Sequence, residues 1–260
     1  MAMALIGGLR EKGFSAAGIQ VIELNAEARE QLTERFGVRC AAAVDAAALN
    51  CEVIVLAVKP QQMREALQAL QGKLSTQLVI SIAAGLRSTD IARWLGGHAR
   101  IVRTMPNTPA LIGAGITGLY AAPEVDAEQR GLANQILGAV GSTVWVNDES
   151  QVDAVTAISG SGPAYVFYFI EALEAAALEL GFDEAAARQL AVETTLGAAR
   201  LAAHSHDSPT VLRERVTSKG GTTEAALRSL DSDAVRAAVI RAAQAAAARG
   251  HELGDLLGQD

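Results

Sequence analysis

Val53-Ile54-Val55-Leu56-Ala57-Val58 is six apolar residues in succession, stopped by Lys59-Pro60. A run of that length without alternation suits a parallel strand buried on both faces. Working outward, the pattern recurs. Downstream, Leu78-Val-Ile-Ser-Ile82 is a second buried strand ended by Ala83-Ala84-Gly85, and Arg100-Ile-Val-Arg103 is a third that runs into Met105-Pro-Asn-Thr-Pro109. Upstream, Ile19 to Leu24 reads as a strand, and Gly141 to Val146 is the last strand-like run. Between them lie helical stretches: Glu27 to Phe36 capped by Gly37, Gln61 to Leu74, and Thr89 to Leu95 before Gly96-Gly97. Strands alternating with helices imply an α/β domain, a doubly wound parallel sheet of Rossmann type, over residues 1–150.

Sheets of this class bind ligands at the carboxyl ends of their strands. The candidate cofactor-binding residues are therefore Ala57, Val58, Lys59 and Pro60, then Ala83, Ala84 and Gly85, and Asn107 in the third loop. Small residues there let a flat cofactor approach the backbone, although each loop taken singly also reads as a plain turn. The chain opens on a helix, Ala2 to Leu9 continuing toward Gly13. Gly7 and Gly8 weaken it by about 1 kcal/mol each, which implies a sheet packed closely on the glycine face. A dinucleotide fold would place a strand and a Gly-x-Gly-x-x-Gly turn before that helix. The expectation is that Met1 is an internal methionine and that about ten upstream residues, carrying the first strand, are missing.

Residues 151–260 read as all-α. Val152 to Ile158 is helical, broken at Ser159-Gly-Ser-Gly-Pro163, and Ala164 to Leu180 is apolar around most of its circumference, with Tyr165, Phe167, Phe169, Ile170, Leu173 and Leu178. A helix apolar all round needs burial all round, and a homodimer supplies it. Further helices follow from Asp183 to about Ala203, from Ser208-Pro209, and from Asp233 to Arg249 with Gly250 as stop. In Val216-Thr-Ser-Lys-Gly-Gly-Thr-Thr-Glu-Ala-Ala-Leu227, hydroxyls and two glycines precede a helix starting near Thr222. Outward N–H groups of Gly221 and Thr222, backed by the helix dipole, suit a carboxylate or phosphate. An N-capped helix with no ligand is the alternative.

The composition narrows the partners. A net charge of −7 argues against nucleic acid as a partner, since phosphate neutralisation needs clustered Lys and Arg. Cys40 and Cys51 form no metal or redox pattern, and His204-Ser-His206 reads as a solvated loop rather than a metal grip. No apolar run approaches the roughly 20 residues of a membrane span and no signal peptide is seen, so a cytoplasmic protein is expected.

The run from Pro209 through Val216–Leu227 to Asp231 resembles the signature of pyrroline-5-carboxylate reductases. Ala57-Val-Lys-Pro60, Ser81-Ile-Ala-Ala-Gly85, Met105–Pro109 and Ser159-Gly-Ser-Gly-Pro-Ala-Tyr165 match the same family in the same order. The resemblance implies a Rossmann domain followed by a helical dimerisation and substrate-binding domain, a homodimer open to further assembly, and reduction of 1-pyrroline-5-carboxylate to L-proline. It implies that Ser218, Gly221, Thr222 and Thr223 hold the substrate, with Thr223 as catalytic partner of the ring nitrogen and Glu149 as a further substrate-side residue. It favours NADPH as cofactor, while Glu23, which suits a ribose diol, keeps NADH open, and Asn25 stands near a phosphate contact of the family. Lys219 sits where many relatives carry Pro. The rivals are a β-hydroxyacid dehydrogenase, which would want a catalytic lysine where the second half offers only Lys219, and a non-catalytic dimerising relic.

Overall fold

Seven strands and twelve α-helices are formed by the described residues, 1–259 of the computed structural model. The strands are β1 (Gln20–Ile22), β2 (Arg39–Ala41), β3 (Val53–Leu56), β4 (Leu78–Ser81), β5 (Ile101–Met105), β6 (Gly115–Ala121) and β7 (Gly141–Trp145). The helices are α1 (Ala2–Glu11), α2 (Ala26–Phe36), α3 (Ala46–Leu49), α4 (Met63–Gln68), α5 (Ser88–Trp94), α6 (Ala127–Leu137), α7 (Gln151–Val155), α8 (Gly162–Glu179), α9 (Glu184–His204), α10 (Pro209–Arg215), α11 (Thr222–Ser232) and α12 (Val235–Leu257).

Two compact units result, Met1–Ser161 with the chain from Ala245 onward, and Gly162–Gln244. The division thus falls later than residue 150, and the end of α12 joins the first unit. The cause is local: Arg103 on β5 pairs with Asp153 on α7, and Arg87 pairs with Asp255 near the end of α12.

In the first unit the sheet is the Rossmann-like one that the apolar runs imply, in two pieces. β1 and β2 pair in parallel with each other, and β3-β4-β5-β6-β7 form a second sheet in sequence order. β3, β4 and β5 are parallel, but β5 and β6 are antiparallel. A short 3-10 turn, Thr108–Ile112, joins β5 to β6, too short for the crossover that parallel pairing requires. Leu78, Val79, Ile80, Ile101 and Val102 are fully buried, as expected of strands covered on both faces. Gly37 ends α2 in the left-handed conformation, which glycine adopts without steric cost.

Some elements depart from expectation. The helix read over Gln61 to Leu74 is a 3-10 turn, Pro60–Gln62, then α4, which stops at Gln68. A Cβ on Gly8 would stand 2.5 Å from the Ala139 carbonyl oxygen and 2.7 Å from Val140 Cγ1. The close neighbour of Gly8 is therefore the turn before β7, while Leu5 of α1 joins the buried cluster of the sheet residues Leu78, Ile80, Val102 and Leu119. Gly250 does not end α12, which continues to Leu257. The break read at Ser159–Pro163 is a π-helical turn, Thr156–Gly160, between α7 and α8.

In the second unit, α8 ends at Glu179, Gly181 just beyond it has φ +93°, and Asp183 caps α9 by accepting from Ala186 N–H at 2.8 Å. Ala177 is the one buried residue of α8, while Phe167, Tyr168 and Phe169 are all exposed. A helix this apolar and this open presents a face for another chain to cover.

Candidate functional site

The strand ends of the first unit offer a mixed set of groups. Ala57, Val58 and Lys59, past the end of β3, are exposed, and Pro60 starts the turn that follows. Ala83 is buried and Ala84 half-buried. Gly85 has φ +80°, the left-handed conformation that accounts for the glycine, and it lies in van der Waals contact with Leu253 and Gly254 of α12. Asn107 is 8% exposed. Its side-chain amide donates to Ser159 O at 3.1 Å and its Oδ1 accepts from Ile116 N–H at 2.9 Å. The whole carboxamide is a strut linking β5, β6 and the π-turn.

At the end of β1, Glu23 Oε1 accepts from Asn25 N–H at 2.9 Å, and Asn25 Oδ1 caps α2 by accepting from Ala28 N–H at 2.9 Å. Both side chains expected at the cofactor thus shape the start of α2. A neighbour that sequence reasoning missed is Arg29. Its Nη1 donates to the carbonyls of Glu23 and Leu24, both at 2.8 Å, which fixes the plane of the guanidinium. Among the described residues Arg29 forms no ion pair. A planar cation held in place with Nε and Nη2 unengaged matches phosphate in geometry and charge.

Glu149 takes two hydrogen bonds at the start of α5, from Ser88 N–H at 2.6 Å and Ser88 Oγ at 2.9 Å. Fully buried Arg103 stands 3.6 Å from Glu149 and donates to Asp153 at 2.6 Å. Among the described residues, the Arg103 Nε has no hydrogen-bond partner. On β6, beside Arg103, burial above all, and then the charges of Glu149 and Asp148, push the Tyr120 phenol above its usual range. The signal for this cluster was a charged residue closing the apolar strand Arg100–Arg103.

The second unit holds the hydroxyl loop. Gly221 N–H donates to Ser218 O at 3.0 Å, closing a turn with Lys219 and Gly220 at its centre. Gly220 has φ +74°, the left-handed conformation that a type II turn requires at that position. Proline is favoured at the position of Lys219 in such a turn, so the turn admits either residue there. A Cβ on Gly221 would collide with Ser218 Oγ, so the glycine is what lets that hydroxyl fold over the turn. No side chain caps α11. Because the turn takes the Gly221 N–H, the outward donors are those of Thr222 and Thr223, one residue later than expected. Thr222 is exposed and Thr223 half-buried. Uncapped N–H groups at a helix start carry the positive end of its dipole.

The pyrroline-5-carboxylate reductase of Pseudomonas aeruginosa is 45% identical over 100% of this chain and 95% of its own length. The chain belongs to the pyrroline-5-carboxylate reductase family. The family model for pyrroline-5-carboxylate reductase dimerisation matches residues 149–253, and that for NADP oxidoreductase, coenzyme F420-dependent, matches residues 1–85. Among solved structures, a pyrroline-5-carboxylate reductase from Coxiella burnetii superposes with TM-score 0.92 at 42% identity, covering 97% of this chain and 94% of that one. A pyrroline carboxylate reductase from Plasmodium falciparum, solved with NADP bound, gives TM-score 0.85 at 28% identity over 97% of this chain and 94% of that one. This membership removes the β-hydroxyacid dehydrogenase alternative.

Proposed function

We propose that this member of the family reduces 1-pyrroline-5-carboxylate to L-proline with NADPH, NADH being the weaker donor, and that it works as a homodimer in the cytoplasm. The observation that carries the reading is the loop Ser218–Thr223, with two helix-start N–H groups and three hydroxyls gathered at one uncapped helix terminus. The substrate is a small cyclic imine with one carboxylate. The N–H groups of Thr222 and Thr223 suit that carboxylate, and the Ser218 and Thr223 hydroxyls suit polar atoms beside it.

Reduction adds a hydride at C5 and leaves a proton on the ring nitrogen. When bound, the reduced nicotinamide supplies the hydride. The protein's share is orientation and the placing of a proton, not nucleophilic attack. In this reading Thr223 holds the ring nitrogen through its hydroxyl, orienting C5 and relaying a proton at that atom. Glu149, bonded to Ser88 and beside Arg103, acts on the substrate side only indirectly, by fixing the start of α5.

The residues present fit a phosphorylated dinucleotide. Ala57 to Lys59 lie open at the end of β3, and Arg29 is a cation of the right shape for a 2′-phosphate. The dimer is supported by the exposed aromatic residues of α8 and by the match to the dimerisation family.

The test is oxidation of NADPH and of NADH by the purified chain with pyrroline-5-carboxylate, product being identified as L-proline by chiral chromatography. Turnover that depends on substrate, and is faster at equal NADPH than NADH, is the expected result. Absence of both cofactor binding and turnover would instead favour the non-catalytic reading, which tight cofactor binding would rule out.

A further inference from the structure

We infer that Glu224 is a positioning residue for substrate binding: its carboxylate latches Gly220 and so holds the Ser218–Gly221 turn in the form that leaves the Thr222 and Thr223 N–H groups free. The inference rests on the reading of this loop as the substrate site. Glu224 is the third residue of α11, the place from which a glutamate ordinarily bonds back to the N-cap N–H. Here the N-cap is Gly221, and its N–H is already given to Ser218 O. The carboxylate reaches one residue further, and its Oε2 accepts from Gly220 N–H at 2.6 Å.

Three consequences follow from that displacement. Gly220, at φ +74°, is otherwise the freest residue of the turn, since glycine has the largest conformational range to lose. The charge-assisted bond from its N–H to a carboxylate is the strong kind. The latch also removes one donor from competition while leaving the next two for a ligand. Arg228 Nη2, one turn along α11, stands 3.7 Å from the same Oε2. It offsets the negative charge of Glu224 where a second carboxylate is to bind.

The test is steady-state kinetics of the full chain as Glu224→Ala and Glu224→Gln, varying pyrroline-5-carboxylate at saturating NADPH and then the reverse. Gln keeps an acceptor for Gly220 N–H without charge, whereas Ala keeps none. The expected result for Ala is KM for pyrroline-5-carboxylate raised about tenfold, the low end of what one lost charge-assisted bond is worth, as suits an exposed site, with KM for NADPH within twofold. Gln should recover part of that rise, since it restores an acceptor without the charge. Thermal melts of both variants show whether they fold. An unchanged imine KM in a folded Ala variant, equal losses in Ala and Gln, or equal rises in both KM values would each overturn the latch. Turnover by the unmodified chain with a normal Ala variant sinks the latch alone. An unmodified chain that folds and binds NADPH but has no turnover sinks the substrate reading and the latch together.

Discussion

Replacing Arg103 by Met tests the reasoning about the buried cluster. The side chain of Arg103 is 2% exposed, against 15% for Asp153 and 20% for Glu149. Methionine keeps much of the volume and removes the charge. Breaking a buried ion pair by removing one partner costs about 3–5 kcal/mol, because the other charge is left uncompensated. Two features of this site reduce that figure. Arg103 Nε already lacks a partner, so its removal returns roughly 1–3 kcal/mol of burial penalty. Glu149 keeps both bonds from Ser88, so Asp153 alone is orphaned. The net expectation is a loss of about 2 kcal/mol, or a fall of about 4–8 °C in melting temperature for a unit of this size. Both tryptophans, Trp94 and Trp145, lie in the first unit, so intrinsic fluorescence follows that unit directly. Adding Asp153→Leu should recover most of the loss, since an apolar pair in place of a buried ion pair is often neutral or stabilising. A single variant that melts at or above the unmodified temperature, or a double variant worse than the single, would refute the argument.

Thr223→Val, which keeps the shape and loses the hydroxyl, should lower kcat/KM for pyrroline-5-carboxylate about 10- to 100-fold, the worth of one hydrogen bond to a charged group. Equal values would remove Thr223 from the chemistry. Arg29→Ala should weaken NADPH binding in a fluorescence titration by a similar factor and leave NADH within about threefold, whereas parallel losses would mean that Arg29 only supports the fold. Asp45 is held below the usual carboxylate range first by the Ala48 N–H that it caps, with Gln20 and Arg39 adding to this. A lowered folded pKa adds stability above the unfolded value and loses it as pH falls through the folded one. Asp45→Asn should therefore flatten the acid side of the stability curve, and an unchanged slope between pH 5 and 3 in melts would count against that linkage.

The parallel strands were legible because a strand covered on both faces needs nothing but apolar residues, and β3, β4 and β5 supply them. β6 was not. Gly115 and Gly118 dilute its pattern, and they are there because Ala110 and Val155 come close enough that a Cβ would stand within 3.0 Å of each. Only the fold brings those neighbours near. The end of α12 was lost for a related reason. Gly250 reads as a stop, yet the helix continues where it packs on the first unit, with Gly254 against the Gly85 carbonyl. The hydroxyl loop could be found because its glycines and threonines are contiguous. Of the Glu149–Arg103–Asp153 cluster the sequence signals only the charge of Arg103 closing an apolar strand, since its partner Asp153 stands 50 positions away.

The open face of α8 bears on how the molecule is made. A protomer fresh from synthesis carries Phe167, Tyr168 and Phe169 against water until it meets its twin. On the dimer reading, that encounter is second order in protein. The resistance of the helical unit to heat then rises with the logarithm of concentration, and a dilute cell extract should lose it before a crowded one does.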